Sequence, residues 1–485
     1  MRDLGQGSAG SGMSVAERLA PAPPVSLARR ALAGSEGAWI VGGAVRDAAL
    51  GRDVVDLDLA LAGDPAVAAK AIAREGGGHS FELSAEFATW RAAAADGSWQ
   101  IDLTALRGET IEADLAERDF TIGAVAVPLD GDEPIDPHGG LADLDRRLLR
   151  VVGERSFAAD PLRLLRAARL AAGLDLEIDA ATVALARSEA ARAAEATGER
   201  QLVELRQLIG GPDPLRGLRL LDELGLTAVV LPELEALRGV EQGPNHHLDV
   251  HGHTIAVLER TLEVETELER FGGERTAELE SLLAEPLADE ISRATALRFG
   301  ALLHDIGKPV TRTEKDGFVT FLGHDRDGAG IIGALCARLR ASRALTRHLQ
   351  DLTLHHLRLG FMVREAPLPP RRVHDYLRAT EPVGVDVTLL TIADRLSARG
   401  SGPLASEEAI EAHLSLAREM LSAALDWRRQ GPPRPLVRGD ELAIELKIPQ
   451  GPELGELLAE LEAAQYAGEI STWPEAVEHA RRLRR

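Results

Sequence analysis

Near residue 150 the hydrophobic pattern of this chain changes period, and a single packed layer cannot serve both patterns. Before that point apolar residues come in short runs between Gly and Asp turns. Ala38–Val41, Asp56–Leu61, Gln100–Leu103 and Thr121–Val127 predict strands, with a helix over Ala66–Arg74. From about residue 156 the spacing becomes helical, through Leu162, Leu165 and Ala168–Leu170, then Leu202, Leu205, Leu208 and Ile209. A chain of 485 residues exceeds what one core supports, so several domains are expected. The expected class is α+β: a mixed-sheet head over 33–150, a helical neck over 151–240, a helical body over 241–400 and a helical tail over 401–485. Gly5, Gly7, Gly10 and Gly12, followed by Pro21, Pro23 and Pro24, predict a disordered leader over 1–32.

Charge and cysteine content exclude several classes. The net charge of -22 argues against a protein that coats nucleic acid indiscriminately, and no DNA partner is expected. A structured RNA needs only a local basic surface. Arginines cluster at Arg146, Arg147, Arg150 and Arg155, at Arg163, Arg166 and Arg169, and at Arg481, Arg482, Arg484 and Arg485. Each cluster taken alone reads first as a solvated helix face. The single cysteine, Cys336, rules out an internal disulfide framework and fits a reducing cytoplasm. No apolar run reaches the roughly 18 residues of a membrane span, so no membrane partner is expected.

The segment Trp39 to Leu61 carries chemistry. An apolar strand end runs into Gly42-Gly43, and Ala44-Val45-Arg46-Asp47 opens a helix. Paired glycines let backbone N–H groups approach a phosphate, and the helix start and Arg46 add positive charge. In the following strand, Asp56 and Asp58 share one face while Leu57 and Leu59 face the core. Two carboxylates side by side repel unless a cation lies between them, and hard oxygen ligands suit Mg²⁺. Asp102, in Gln100-Ile101-Asp102-Leu103-Thr104, is a candidate third carboxylate, with a turn residue as the competing reading.

These residues resemble a known family. Gly42-Gly43-Ala44-Val45-Arg46-Asp47 followed by Asp56-Leu57-Asp58 is similar to the first motif of the class II tRNA nucleotidyltransferases and bacterial poly(A) polymerases, within the polymerase-beta-like superfamily. Arg118-Asp119-Phe120-Thr121 resembles the second motif, and Asp136-Pro137 with Gly139-Gly140 and Asp143-Leu144 the link after it. Asp160-Pro161-Leu162-Arg163-Leu164-Leu165-Arg166-Ala167-Ala168-Arg169 resembles the base-selecting helix, and Glu199-Arg200 with Glu204-Leu205 the next neck motif.

The resemblance implies a polymerase-beta-like nucleotidyltransferase head that adds CMP, AMP or both, from CTP and ATP, to tRNA 3′ ends. Asp56 and Asp58 would bind Mg²⁺, and Gly42, Gly43 and Arg46 would hold phosphates. Arg118 and Asp119 would contact the nucleotide; Asp160 and Arg163, with Arg166 and Arg169 on the same helix, would form its base-reading side. A carboxylate accepts from an exocyclic amine and an Arg donates to a ring nitrogen or carbonyl, which suits ATP and CTP. A helix N-cap Asp160 with a surface Arg163 fits the same sequence. Three positions depart from the family: Gly123 replaces the usual Asn, Glu117 an Arg, and Ala159 a Glu. Each removes a polar contact near the nucleotide and leaves the choice between C, A and both open. A poly(A) polymerase is the alternative within the class.

Residues 245–395 hold most of the histidines: His246, His247, His251, His253, His304-Asp305, His324, His355-His356, then Asp394. Imidazole with carboxylate is a divalent transition-metal set. The order resembles the HD phosphohydrolase superfamily. By that resemblance His253, His304, Asp305 and Asp394 match the primary ligands, His324 and His355 the extra histidines of two-metal members, and Lys308 a phosphate contact. A relic domain kept as structural body competes with this reading, as does an HD phosphatase or phosphodiesterase with a degenerate head. In the tail, the Pro432, Pro433 and Pro435 break starts a separate segment, which resembles a small helical cap that either meets tRNA through Arg481–Arg485 or only packs on the body.

Overall fold

The computed structural model describes residues 13–35, 37–84, 88–315 and 317–484. They divide into two compact units. The first runs to Ala196 and takes in Glu223–Leu226; the second holds Thr197–Asp222 and the chain from Thr227 onward. The division therefore falls inside the stretch 151–240 read from the sequence as one neck. Helical spacing shows that a face is buried, but not which core buries it.

The first unit is built on one sheet of six strands: β1 Ala38–Val41, β2 Asp56–Leu61, β3 His79–Ser84, β4 Thr89–Ala93, β5 Gln100–Ala105 and β6 Ala126–Pro128. Their order is β3-β4-β5-β2-β1-β6. β2 and β5 run parallel, and the other pairs are antiparallel. The expected strand Thr121–Val127 is divided: Thr121–Gly123 is a 3-10 turn, and pairing starts only at Ala126. Strands β3 and β4 had no clear apolar alternation to announce them. β3 lies at the sheet edge and exposes Phe81 and Leu83, so no side of it is selected by a core.

The leader prediction is corrected by the structure. Val15–Leu19 and Pro23–Ala31 are helices, the first with Ser14 and Glu17 forming a reciprocal cap. Leu19, Val25, Leu27 and Ala28 join the same core as Ile40, Leu57, Leu59 and Leu103. Of the prolines that suggested disorder, Pro23 and Pro24 sit at the first turn of the second helix, where a missing N–H costs nothing, and Pro21 lies in the turn before it. The Gly5, Gly7, Gly10 and Gly12 part lies outside the described residues. Leu19→Ala is expected to lower stability by about 2–5 kcal/mol, measured by denaturant unfolding. A loosely held leader would leave the midpoint unchanged.

One glycine in this unit is fixed by close approach. Gly140 starts the helix Gly140–Asp145, and an added Cβ would lie 2.0 Å from the Thr121 carbonyl oxygen. Gly140→Ala must therefore move backbone, at about 3 kcal/mol or more. Its thermal midpoint against that of Gly153→Ala, where no atom lies within 4 Å, isolates the effect.

Among the described residues the second unit is helical apart from two short antiparallel strand pairs, Pro286–Ala288 with Ile291–Ser292 and Thr313–Lys315 with Phe318–Thr320. Helices Val250–Thr266, Arg293–Leu303, Arg343–His355 and Gly384–Ser397 pack together at its centre. Helix Glu407–Gln430 packs along Gly384–Ser397, so the body extends past the expected boundary at residue 400. The separate core begins only after the proline run, with Val437, Leu442, Leu446, Leu454, Leu457, Leu461, Ala476 and Val477. Arg484 is bound to Glu453 of this small bundle at 2.8 Å, and Arg481 pairs with Glu445.

Candidate active sites

In the first unit, sheet register builds the site. Val41 ends β1 opposite Asp58, and the chain then turns at Gly42 into helix Gly43–Ala49. Gly42 has φ +69°, and an added Cβ would lie 3.2 Å from the Asp58 carboxylate and 3.4 Å from Arg118 Nη1. Glycine here satisfies both the backbone conformation and the close approach. The alternation of β2 puts Asp56 and Asp58 on one face. Parallel pairing with β5 sets Asp102 beside Asp58 on that same face.

Three carboxylates thus meet at one end of the turn. Desolvation, then the charges of Asp102 and Asp56, push Asp58 up to about 6, against the pull of Arg118 and Arg46. The residue itself remains open to water, so screening moderates the shift. Asp102 is a strand residue and not a turn residue. Its two oxygens accept from Arg91 Nε and Nη2 at 2.7 and 2.8 Å, across the β4–β5 pair. Arg91 was invisible in the sequence because β4 was. Arg46 pairs with Asp47 at 2.9 Å beside the Gly43 backbone.

The segment Glu117–Asp119 is held from the helix Arg163–Leu174. Arg163 Nη2 donates to the Glu117 carbonyl at 2.7 Å, and its Nη1 to Arg118 O at 3.3 Å and Ser156 Oγ at 3.1 Å. Arg166 Nη1 donates to Asp119 Oδ2 at 2.9 Å. Burial would raise Asp119, but the Arg166 charge and the Phe120 amide hold it below the usual carboxylate range. Arg118 binds Asp114 at 3.0 Å, and Asp114 is buried. Asp160 Oδ1 accepts from the Leu162 amide at 3.1 Å in the turn before the helix, whose N-cap position is Leu162 and not the expected Asp160. Arg169 lies half-buried one turn beyond Arg166 on the same helix face. The link residues are structural. Asp136 accepts from the Gly140 and Leu141 amides at 2.7 and 2.9 Å, and buried Asp143 binds Thr121 and Arg150 at 2.6 and 2.8 Å.

In the second unit the histidines converge. Two groups of three ligand atoms form: His253, His304 and Asp394, then Asp305, His324 and His356. This corrects one position: the neighbour His356, buried at 2% exposure, enters the group, and the less buried His355 does not. His355 ends the helix Arg343–His355 and His356 caps it in helical conformation, and a one-residue step on a helix rotates a side chain by about 100°. Sequence order cannot choose between adjacent histidines; the buried face Leu345, Leu349, Leu352 could have pointed to position 356.

The donor geometry fits a divalent ion. Nδ1 of His304, His324 and His356 lies 2.9, 2.7 and 2.6 Å from the carbonyls of Ala301, Phe321 and Thr353. Those contacts assign the proton to Nδ1 and leave Nε2 as the ligand atom. His253 Nε2 sits 3.1 Å from Asp394, and His304 Nε2 3.1 Å from Asp305, yet neither buried nitrogen has a hydrogen-bond partner. Such atoms crowd one point without bonding to one another, as ligands of a common cation do. Burial, then neighbouring His304, pushes His356 down to about 4, so it is neutral and ligand-ready near pH 7. Burial opposes ionisation of Asp305, but His304 and Lys308 hold it well below the usual range. Lys308 Nζ lies 2.6 Å from Asp305 and 2.6 Å from Gln242 Oε1. Helices carrying these ligands are tied elsewhere by the buried pair Arg293–Asp386, with Nε to Oδ1 at 3.1 Å.

Comparison with known proteins finds three family matches: "Poly A polymerase head domain" over residues 38–150, "Probable RNA and SrmB-binding site of polymerase A" over 175–237 and "HD domain" over 252–399. The A-adding tRNA nucleotidyltransferase of Deinococcus radiodurans is 36% identical over 447 residues, 91% of this chain and 94% of that protein. The CC-adding tRNA nucleotidyltransferase of Geobacter sulfurreducens is 33% identical over 461 residues, 94% of each chain. The Thermus thermophilus CC-adding enzyme is 34% identical, covering 90% of this chain and 92% of that one. Among solved structures, the Thermotoga maritima CCA-adding enzyme complexed with tRNA shares the fold at TM-score 0.59 and 21% identity, over 98% of this chain and 99% of that one. A CCA-adding enzyme with ATP matches at TM-score 0.64 and 21% identity, with the same coverage.

Proposed function

The chain belongs to the tRNA nucleotidyltransferase family, and on that premise we propose that its head adds CMP, AMP or both, from CTP and ATP, to the 3′ end of tRNA. The observation that carries this is the convergence of Asp56, Asp58 and Asp102 beside the Gly42 turn and Arg118. In the reaction the 3′-hydroxyl oxygen bonds to the α-phosphorus, the bond to the β-phosphate oxygen breaks, and pyrophosphate leaves with that electron pair. Mg²⁺ held by Asp56 and Asp58 would neutralise the triphosphate and ease loss of the hydroxyl proton. The Gly42–Gly43 turn and Arg46 orient the phosphates at a helix start. Arg118 and Asp119 meet the nucleotide, with Arg163 holding the Arg118 carbonyl and Arg166 the Asp119 carboxylate. Asp160, Arg163 and Arg169 form the base-reading side, where a carboxylate and guanidinium N–H groups suit C and A. Arg163 contributes there through the placement of Arg118 as well as through its own N–H groups. Asp102, held by Arg91, sets the field at Asp58. Label from CTP or ATP is expected in a tRNA transcript with Mg²⁺ and not with chelator; no incorporation overturns the reading.

The second unit supports a metal-dependent phosphohydrolase centre on His253, His304, Asp305, His324, His356 and Asp394. A divalent transition metal there would supply a nucleophilic water at neutral pH. Asp305 lies within reach of both groups, 3.1 Å from His304 and 3.3 Å from His324, and can orient two ions. Metal analysis of the purified chain is expected to find bound metal that is lost in Asp305→Ala; equal metal content in both would refute the site. A cytoplasmic setting is supported by the unpaired buried Cys336. No helix among the described residues is long and apolar enough to cross a membrane.

A further inference from the structure

The loop before the His253 helix is built into the phosphohydrolase centre. On one side Gln242 is bonded to Lys308, which is itself bonded to Asp305. On the other, Gly400 N donates to Asn245 O at 3.0 Å, Ser401 N and Gly402 N donate to Pro244 O at 2.8 Å, and Leu404 N donates to Asn245 Oδ1 at 3.1 Å. These partners directly follow the helix that carries Asp394. The contact is tight enough to need glycine: a Cβ on Gly400 would lie 2.1 Å from Pro244 O, and one on Gly402 would lie 2.2 Å from Asn245 Oδ1.

This anchoring fixes His246. Its ring meets His253 edge-on, with centroids 4.5 Å apart and planes at 74°. It also lies within electrostatic range of Lys308, Asp394 and Asp305. Yet it belongs to neither group of three ligand atoms. Its Nδ1 is buried and has no hydrogen-bond partner. A buried ring nitrogen with no protein partner, held by a doubly anchored loop at a candidate metal centre, is placed to bond a ligand there.

We propose that His246 is a substrate-binding residue of this centre, hydrogen-bonding through Nδ1 to a phosphoryl oxygen of the phosphate ester to be hydrolysed. The inference rests on the phosphohydrolase reading above. Phosphate is the matching chemistry because Lys308 and residues of both ligand groups lie within electrostatic range of His246, and an imidazole N–H adds a directional donor without a further full charge. His246 thus orients the ester while water bonds to phosphorus and the ester P–O bond breaks, the leaving oxygen taking a proton.

The test uses the full-length, metal-loaded protein with inorganic phosphate as the binding probe and p-nitrophenyl phosphate as the hydrolysis probe. His246→Phe keeps the ring against His253 and removes both nitrogens. It is expected to retain the parent metal content and tRNA extension while binding phosphate at least about tenfold more weakly, a cost of about 1.4 kcal/mol, with KM raised accordingly. His246→Asn, whose amide N–H reaches the Nδ1 position, is expected to restore most of the affinity. Unchanged phosphate affinity in both variants overturns the proposal. So does loss of metal from His246→Phe or His246→Asn, which would make His246 a ligand. A parent protein that holds metal but neither binds phosphate nor hydrolyses the ester overturns the phosphohydrolase reading itself.

Discussion

Asp58→Asn is expected to reduce nucleotide incorporation at least about a thousandfold, roughly 4 kcal/mol of transition-state stabilisation, while making the protein no less stable. The activity follows from position. Asp58 lies between Val41 and Asp102 in the sheet and within 3.2 Å of where a side chain on Gly42 would begin, so it shares the space that the turn opens. An amide of equal size keeps the packing and removes one of the two carboxylates proposed to hold the cation. Stability moves the other way because three carboxylates repel. A carboxyl raised from 3.8 to about 6 in the folded chain loses its proton more readily when unfolded. Stability is therefore lost as pH rises through that window, and in Asp58→Asn this component of the decline should vanish. Initial-rate extension and denaturant midpoints between pH 4 and pH 7 read both effects. Retained extension would remove Asp58 from the chemistry.

Asp305→Ala is expected to empty the second centre and to destabilise its unit by about 3–5 kcal/mol. Asp305 is 2% exposed and lies within 3.7 Å of four imidazoles, with Lys308 at 2.6 Å. Removing it leaves Lys308 buried with less compensation and takes away the carboxylate that both ligand groups surround. Head activity per folded molecule should persist, because Asp305 lies in a different compact unit from Asp58. Metal content, thermal midpoint and tRNA extension measured on one preparation separate the effects. A variant that keeps the parent's metal would refute the site.

What the sequence disclosed follows the strength of local patterns. The Gly42–Asp58 segment was legible because strand period, turn glycines and carboxylate spacing all point the same way, and β1 and β2 appear where expected. Strand β4, which places Arg91 against Asp102, was not, nor was its neighbour β3, an edge strand with a mostly exposed face. The leader was misread because Pro23 and Pro24 have the same composition whether they start a helix or a linker; only packing of Leu19 and Leu27 on the sheet core distinguishes them. His253, His304, His324 and Asp394 converge as their order implied, whereas the choice of His356 over His355 depends on helix phase. His246 depends on tertiary contacts with Gly400 and Gly402, which no local pattern records. The pair Asp160 and Arg163 shows a further limit. One sequence reads both as a helix cap and as a base-reading helix, and here Asp160 bonds the turn before the helix while Arg163 braces Glu117 and Arg118.

The central claim is that the head transfers CMP or AMP to tRNA. It is tested most directly by extending three tRNA transcripts, ending before CCA, after the first C and after CC, with each labelled nucleotide and Mg²⁺. The expected result is a defined addition that stops: C, C and A in turn for a complete enzyme, or C alone or A alone for a split-function one. A long A tail on any RNA, or no incorporation on all three transcripts by a folded protein, would contradict it.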